Sequence, residues 1–178
     1  ENSSAIKILV IGGSLGAKVL NDNLPLALAK LDAKPAQITH QVGRAAIEQI
    51  IATYQANLVK NVQVVNFIDD MAAAYANADL IICRAGASTV AEVAAAGIAA
   101  IFVPYPYAVD DHQTTNTRQL VAAGAAILLP QAELSPAKLA ELISGLNHTI
   151  CQNMGEKARS LAILDSTQQI CQQIIEQL

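Results

Sequence analysis

The central segment of the chain reads ADLIICRAGASTVAEVAAAG, residues 78–97. Its apolar beginning, residues 78–83, predicts a buried strand, and residues 90–96 predict a helix that ends at Gly97. The small residues between them allow a tight turn from strand to helix. Strands that alternate with helices are typical of parallel α/β sheets, so this segment indicates that fold class.

The same segment carries a candidate ligand site at the start of its helix. Ser88 and Thr89 fall in the first turn, where free backbone N–H groups and the helix dipole favour an anion. Glu92 follows about one turn later, and its carboxylate can accept hydrogen bonds from hydroxyl groups. A phosphate cradle beside a carboxylate suits a sugar nucleotide. An ordinary capped helix packed on a sheet explains the segment equally well.

Strands and helices alternate along the whole chain. The predicted strands are residues 6–11, 36–41, 62–66, 78–83, 99–103 and 126–129. Six helices are predicted with both ends, at residues 17–31, 45–55, 90–96, 113–123, 150–161 and 166–178. Two more are predicted by their starts: a short helix capped by an Asp of the Asp69-Asp70 pair, and a helix that begins at Ser135-Pro136. This pattern predicts a Rossmann-like, doubly wound parallel sheet that binds ligands at the carboxyl ends of its strands. We expect one domain over residues 5–178, preceded by a linker of residues 1–4.

The composition limits the classes of function. Of 178 residues, 53% are hydrophobic and 15% are charged, which suits a sheet covered on both faces. A net charge of −4 and an aromatic content of 3% argue against a nucleic-acid partner. Three distant cysteines form neither a metal-ligand pattern nor a disulfide framework, which favours a reducing cytoplasm. The sequence shows no apolar stretch of membrane-spanning length and no signal peptide.

A glycine-rich loop, GGSLG at residues 12–16, follows the first strand. Glycines let the backbone turn sharply and approach a diphosphate closely, and Ser14 can donate its hydroxyl. The loop lacks the Gly-Lys-Ser/Thr ending of a nucleotide triphosphatase and the spacing of a dinucleotide fingerprint. The second strand runs into His40-Gln41 with no acidic residue at its end, so we do not expect NAD. A simple tight turn is the alternative interpretation.

Two further segments follow predicted strands and so reach the same edge. Phe67 and Met71 could form apolar walls for a flat base, and the backbone of Ile68 offers a donor and an acceptor to a uracil edge. A helix cap with core side chains also fits that segment. Residues 104–116 form a polar loop held by prolines, whose side chains suit sugar hydroxyls. A solvated loop would be polar as well.

Together, four segments resemble the MurG family of bacterial glycosyltransferases. They are GGSLGA with Asn21, FIDDM at residues 67–71, CRAGASTVAE at residues 83–92, and the loop from Val103 to Asp110 with Gln113 and Asn116. The order and spacing match over residues 5–178, which correspond to the C-terminal half of those enzymes. The family adds N-acetylglucosamine (GlcNAc) from UDP-GlcNAc to lipid I, which makes lipid II for peptidoglycan.

The resemblance implies a GT-B architecture, in which two Rossmann-like domains face each other and this chain binds the donor UDP-GlcNAc. It implies that Gly13, Ser14 and the helix start bind the diphosphate and that the Ile68 backbone binds uracil. It also implies that Glu92 binds the ribose, and that His112 and Gln113 bind the GlcNAc hydroxyls. The full set of expected substrate contacts is Gly13, Ser14, Asn21, Phe67, Ile68, Met71, Ala87, Ser88, Thr89, Glu92, His112, Gln113 and Asn116. Family members often carry Gln at the position of His112, and Leu15 replaces a frequent Gln.

The expected reaction is an inverting displacement at the anomeric carbon, with UDP as the leaving group. The resemblance implies no metal or other cofactor, because helix dipoles and N–H groups stabilise the diphosphate. It assigns the catalytic base, the lipid I pocket and the membrane-docking patch to the N-terminal domain. The whole protein would then be peripheral on the cytoplasmic face of the inner membrane. We therefore expect this chain to bind the donor but to be inactive alone.

Several residues and functions stay open. None of His40, His112 and His148 can be identified as a base, and a packed or surface position is the expectation for His40 and His148. Arg84, at the end of a buried strand, is expected to be a structural partner. A UDP-GlcNAc 2-epimerase-like isomerase domain and a nucleotide-sugar binding module remain alternative functions. The last helix, residues 166–178, carries an apolar face that the resemblance places against the N-terminal domain.

Overall fold

The computed structural model describes residues 5–13, 15–45, 47–108 and 111–177. Its strands are β1 (Lys7–Ile11), β2 (Gln37–Gln41), β3 (Val62–Val65), β4 (Leu80–Cys83), β5 (Ala99–Phe102) and β6 (Ala126–Leu128). Its helices are α1 (Lys18–Ala29), α2 (Ile47–Ala56), α3 (Met71–Ala76), α4 (Ala87–Ala96), α5 (His112–Ala122), α6 (Pro136–Ser144), α7 (His148–Ser160) and α8 (Ser166–Glu176). Every predicted strand and helix is present, with ends that shift by a few residues.

All six strands are parallel, in the order β3-β2-β1-β4-β5-β6. The chain thus builds outward from β1 in one direction, and then returns to β4 on the other side of β1. This is the strand order of a doubly wound Rossmann sheet, and its topological switch point lies between β1 and β4. The predicted fold class is confirmed. Ligands of such sheets bind beyond the carboxyl ends of the two strands at the switch point.

Alternate residues of the strands enter two separate cores. Ile8, Val10 and Ile82 pack on the side of α1 and α6, whereas Ile81 and Phe102 pack on the side of α4, α5 and α7. All residues of β4 and β5 are buried, because helices cover both faces of these central strands. Apolar burial on both faces explains why these strands read as continuous apolar runs.

The prediction that helices cover both faces is wrong at one corner of the sheet. Gln37 and Gln63 of β2 and β3 are exposed, and Thr39 is only partly covered. They line a groove of about 410 Å³ on the open sheet face. The only helix in the connection between β3 and β4 is α3, and its six residues are too few to cover two strands. Polar side chains at these positions are consistent with contact with water.

Local capping sets the helix boundaries. The carboxylate of Asp70 accepts a hydrogen bond from the Ala73 N–H at 2.9 Å, which confirms the predicted cap of α3. Ser135 caps α6 in the same way, directly before Pro136. Helix α7 begins at His148, two residues before the prediction, because Asn147 caps it. Helix α4 begins at Ala87, three residues before the prediction.

The last helix, α8, lies outside both cores. Ile170, Ile174 and Ile175 are 58%, 57% and 71% exposed, and α8 has no buried residue among those described. The apolar side chains of this helix are exposed, while their burial against a further domain in a longer protein stays a prediction. Within the described ranges, no helix is both long and apolar enough to cross a membrane.

Candidate functional site

The candidate site lies at the switch point between β1 and β4. Gly12 and Gly13 leave β1 there, and Arg84 leaves β4. These residues line a depression of about 520 Å³, and Tyr105 and Gln113 from the segment after β5 line it as well. The structure therefore brings together three of the four segments that the sequence analysis placed at this edge.

A buried amide holds the glycine loop in place. The Gly12 N–H donates to Oε1 of Gln41 at 3.1 Å, and Nε2 of Gln41 donates to the carbonyls of Gly13 and Asn66 at 3.0 and 2.8 Å. Gln41 is 4% exposed, so these bonds replace the water that its amide and the three backbone groups lose. Sequence reasoning missed Gln41. The sequence indicated only that the end of β2 lacks an acidic residue. The structure shows that the Gln41 amide at this position forms hydrogen bonds with the backbone of the glycine loop.

Two glycines let the loops after β1 and β2 touch. A Cβ on Gly43 would lie 2.1 Å from the Gly16 nitrogen, and one on Gly16 would lie 2.2 Å from the Val42 oxygen. Gly13 differs: it has φ of +83°, and a Cβ there would meet no atom within 4 Å. Its backbone therefore faces open space, which suits close approach of a ligand. Ser14, the other expected diphosphate contact, lies outside the described residues.

Asn21 makes its contact inside the protein. Its Nδ2 donates to the Val42 carbonyl at 3.2 Å, and the residue is only 7% exposed. Its Oδ1 is buried with no hydrogen-bond partner among the described residues. The structure thus gives Asn21 a role in holding the loop after β2 against α1. The substrate contact expected from the sequence stays a prediction.

The start of α4 offers free donors. Its N-cap is Gly86, which has no side chain to satisfy the first N–H groups. Ala87 and Ser88 are exposed and Thr89 is partly covered, so the first turn is open to a ligand. This arrangement confirms the predicted position of Ser88 and Thr89 in the first turn, and it leaves the N–H groups and the helix dipole available to an anion.

Arg84 adds a positive charge beside this helix start. Its Nη1 donates to the carbonyls of Val103 and Pro104, both at 3.1 Å, and the guanidinium lies 5.5 Å from the centre of the Tyr105 ring. Burial lowers the pKa of Arg84 from its usual value, and Tyr105 opposes that effect. An arginine stays protonated near neutral pH. The expected structural role is confirmed, with backbone carbonyls as partners.

Two amides of α5 hold the turn before α4. Oε1 of Gln113 accepts from the Tyr105 N–H at 2.8 Å and from the Ala85 N–H at 3.3 Å, and Nδ2 of Asn116 donates to the Ala85 carbonyl at 3.0 Å. Both bonds of Gln113 use its oxygen, so its amide nitrogen can donate to a ligand in the depression that it lines. His112 is exposed at the first position of α5. Asp110 lies outside the described residues.

The residues expected around the base divide between two surfaces. Phe67 is 66% exposed and lines the groove on the open sheet face together with Ile68. Met71 lines a different depression of about 570 Å³, between α3 and α4. Asn66, directly before Phe67, connects this segment to the loop after β2, because its Nδ2 donates to the Gly43 carbonyl at 2.7 Å. The structure therefore brings Met71, but not Phe67, into contact with the depression that contains Glu92.

Glu92 is held by a residue that sequence reasoning missed. The Tyr75 hydroxyl donates to Oε2 of Glu92 at 2.8 Å, and both residues line the depression between α3 and α4. Tyr75 is buried at 9% exposure, whereas Glu92 is exposed. Burial, the hydrogen bond and the charge of Glu92 all raise the pKa of Tyr75, so its hydroxyl stays protonated and donates.

His40 and His148 lie away from this edge, one in the core and one at the surface. His40 is fully buried with Nδ1 at 2.8 Å from the Tyr54 hydroxyl, and burial lowers its pKa to about 4. Nε2 of His148 lies 3.5 Å from a carboxylate oxygen of Asp79. The packed and surface positions expected for these histidines are confirmed. Across the described residues, no group of three His, Cys, Asp or Glu side chains could hold a metal ion.

Residues 7–177 match the family model of the glycosyltransferase family 28 C-terminal domain. Two curated relatives are each named UDP-N-acetylglucosamine–N-acetylmuramyl-(pentapeptide) pyrophosphoryl-undecaprenol N-acetylglucosamine transferase. The protein from Dechloromonas aromatica is 53% identical over 178 residues, and that from Ralstonia nicotianae is 52% identical over 174. The alignments cover 98% and 96% of this chain but 50% and 47% of the relatives. The chain therefore spans about half the length of these proteins.

Solved structures agree with this match. The crystal structure of Acinetobacter baumannii MurG superposes with a TM-score of 0.92 and 47% identity, over 99% of this chain and 51% of that one. The glycosyltransferase VinC in complex with dTDP gives a TM-score of 0.66 at 20% identity, over 100% of this chain and 43% of that one, which supports the fold alone. The predicted C-terminal half of a GT-B glycosyltransferase is confirmed. The chain belongs to glycosyltransferase family 28, as its C-terminal domain.

Proposed function

We propose that this chain is the UDP-GlcNAc-binding half of the transferase that adds GlcNAc to lipid I, forming lipid II in peptidoglycan synthesis. The observation that carries the proposal is the open start of α4, which lies at the switch point with Glu92 one turn further along the helix. The names of the relatives that are 52% and 53% identical support the choice of donor and acceptor. A bound nucleotide sugar would then lie across the carboxyl ends of β1 and β4.

The diphosphate would lie between the glycine loop and the start of α4. Backbone N–H groups of Gly13 and Ala87 to Thr89 would donate to its oxygens, and the α4 dipole would favour its negative charge. Gly13 suits this position because the space around its Cα is open. Ser14 is proposed as a further donor. Arg84 lies beside the same depression, so its positive charge would add to the attraction.

The nucleoside would lie toward α3. The carboxylate of Glu92 would accept hydrogen bonds from the ribose hydroxyls, and Met71 would form an apolar wall in the same depression. Ile68, which lines the neighbouring groove on the open sheet face, is proposed to pair with uracil through its backbone. Phe67 is proposed to close over the base from its exposed position.

The GlcNAc group would occupy the depression between the glycine loop and the segment after β5. Nε2 of Gln113 would donate to sugar hydroxyls there, since its Oε1 is already used by Tyr105 and Ala85. His112 would approach the sugar from the exposed start of α5. Asn116 would act by holding the Ala85 carbonyl.

In the proposed reaction, an acceptor hydroxyl attacks the anomeric carbon of GlcNAc from the face opposite UDP. A carbon–oxygen bond to the acceptor forms while the hydroxyl proton passes to the base, the bond from the anomeric carbon to the β-phosphate oxygen breaks, and UDP leaves with the electron pair. The charge that develops on UDP is stabilised by the α4 N–H groups and the glycine loop. We propose that the base, the lipid I contacts and the attachment to the cytoplasmic membrane face belong to an N-terminal domain. This chain alone would bind the donor without transferring it.

Calorimetric titration of this chain with UDP-GlcNAc, UDP-GalNAc and NAD tests the proposal. We expect binding of UDP-GlcNAc, weaker binding of the epimeric sugar because of its changed hydroxyl, and no binding of NAD. A folded chain that binds NAD, or that fails to bind UDP-GlcNAc at millimolar concentration, would contradict the assignment.

A further inference from the structure

We propose that Tyr75 is a positioning residue that aims the Glu92 carboxylate at the ribose diol of the donor. The inference rests on the proposed function and assigns a role to a residue outside the expected set of substrate contacts. Tyr75 and Glu92 belong to different helices, α3 and α4, and lie 17 residues apart in sequence. Their hydrogen bond is 2.8 Å long.

The chemistry of the two groups fixes the direction of the bond. A carboxylate only accepts hydrogen bonds, so the phenol must donate to Oε2. Hydrogen bonds to an ionised acceptor are stronger than those between neutral groups. The phenol is anchored, because its ring is buried at 9% exposure. An exposed glutamate would otherwise sample several rotamers, and ordering it on ligand binding would cost conformational entropy.

The bond leaves one side of the carboxylate for a ligand. With Oε2 held by Tyr75, Oε1 keeps both lone pairs and Oε2 keeps one. A vicinal diol with two adjacent O–H donors fits such a carboxylate. The neighbouring wall consists of Ala72, Ala95 and Ala96, whose small side chains leave space in the depression of about 570 Å³. The pocket thus combines a fixed acceptor with room for a sugar ring.

The bond also couples two parts of the proposed donor site. Helix α3 begins at Met71, directly after the segment proposed for uracil, and α4 begins with the N–H groups proposed for the diphosphate. Tyr75 and Glu92 tie these helices together between the two ends. The bond therefore lies between the two ends of the proposed site, at the position proposed for the ribose, and acts through the Glu92 carboxylate.

The test compares ligands that differ only in the ribose hydroxyls. The chain and its Tyr75→Phe variant are titrated with UDP and with 2′,3′-dideoxy-UDP. Phenylalanine keeps the buried ring and removes only the donor. We expect Tyr75→Phe to weaken UDP binding by about three- to tenfold and to leave dideoxy-UDP binding unchanged. In a Glu92→Ala background, Tyr75→Phe should have no further effect on UDP affinity.

Tyr54→Phe is the matched control, because it also removes one buried hydroxyl but lies on α2 beside His40. It should lower the melting temperature and leave the UDP affinity unchanged. Equal losses of UDP and dideoxy-UDP binding in Tyr75→Phe would overturn the inference, since a packing defect affects both ligands. If Glu92→Ala weakened UDP binding and Tyr75→Phe did not, the role of Tyr75 would be overturned while the proposed function would stand. Absence of UDP binding by the unmodified chain would overturn the proposed function as well.

Discussion

On the glycine-loop side of the proposed donor site, the buried amide of Gln41 holds the backbone with three hydrogen bonds, whereas on the α3–α4 side the exposed carboxylate of Glu92 is held by one hydroxyl. The first side is part of the folded core, and the second lies on its surface. Substitutions on the first side should therefore reduce stability, and those on the second should reduce affinity. The contrast shows that one sheet edge can separate residues that shape a site from residues that contact a ligand.

The largest loss of stability is expected for Gly43→Ala. A Cβ at Gly43 would lie 2.1 Å from a backbone nitrogen, at a φ of +67°. Left-handed strain and the backbone clash together should lower the free energy of unfolding by about 4 kcal/mol. Gly124→Ala is the control, because its φ is +66° but the new methyl group would meet only the end of the Lys157 side chain, at 3.4 Å. It should cost about 1 kcal/mol in urea unfolding. Equal costs would contradict the close contact between the two loops.

The next effect is a dependence of stability on pH that comes from His40, on β2 next to Gln41. Burial lowers the pKa of His40 from 6.5 to about 4. Below pH 6.5 the unfolded chain gains a proton that the folded chain does not bind until about pH 4. Stability should therefore fall by about 3 kcal/mol as the pH drops through this window.

Urea unfolding between pH 7 and pH 4 measures this loss. The double variant His40→Leu with Tyr54→Phe removes the titrating ring and its buried partner together, so neither is left unpaired. Protonation of carboxylates should destabilise both proteins over this pH range. The parent chain should lose more stability than the variant, and the difference between the two losses measures the contribution of His40. Parallel pH profiles would show that His40 does not titrate as its burial implies.

Gln41→Ala should lower the free energy of unfolding by about 2 kcal/mol, because it removes the three hydrogen bonds that this buried amide makes to the loop backbone. The Gly12 N–H keeps the Gln41 main-chain carbonyl and the Gly13 carbonyl keeps the Gly16 N–H, so the loss comes from the missing amide and not from isolated backbone groups. Gln63→Ala is a matched control on the neighbouring strand, since that amide is exposed on the open sheet face. It should change stability by no more than about 0.5 kcal/mol. Thermal unfolding of the two variants compares them, and a Gln41 variant as stable as the control would remove the buried amide from the account.

A smaller effect is expected for α8. Ile174→Lys should change the free energy of unfolding by less than about 1 kcal/mol, because Ile174 is 57% exposed and contributes little burial. Its apolar neighbours should instead promote self-association of the chain, which the substitution should reduce. Sedimentation at several concentrations checks this result. A monomer at every concentration, with full amide protection of α8 in hydrogen exchange, would contradict the exposure of this face.

The sequence predicted the fold well because its signals are local. The apolar runs at β4 and β5 are buried on both faces, and the Asp70 and Ser135 caps act on residues three positions away. The start of α4 was placed three residues late, because the small residues Ala87 to Thr89 are also typical of a turn and Gly86, the N-cap, has no side chain that would mark the helix start.

The side chains that organise the site could not be predicted in the same way. Gln41 contacts Gly12 over 29 positions of sequence, and Tyr75 contacts Glu92 over 17. No local pattern marks either residue, because each contact depends on strand order and on the crossing of separate helices. Asn21 belongs to the same class of long-range contact, because its amide nitrogen donates to the Val42 carbonyl, 21 positions away, while the ligand contact suggested by its motif stays a prediction.

The central claim, that the α3–α4 side binds the nucleotide sugar, is tested most directly at Glu92. Calorimetric titration of UDP-GlcNAc is compared for the chain and Glu92→Ala, with the melting temperature measured on the same samples. Loss of a charged acceptor for ribose hydroxyls should weaken binding by about ten- to a hundredfold. The free energy of unfolding should change by less than about 0.5 kcal/mol, because Glu92 is exposed. Unchanged affinity in a variant with a native melting temperature would contradict the ribose role and the donor site built around it.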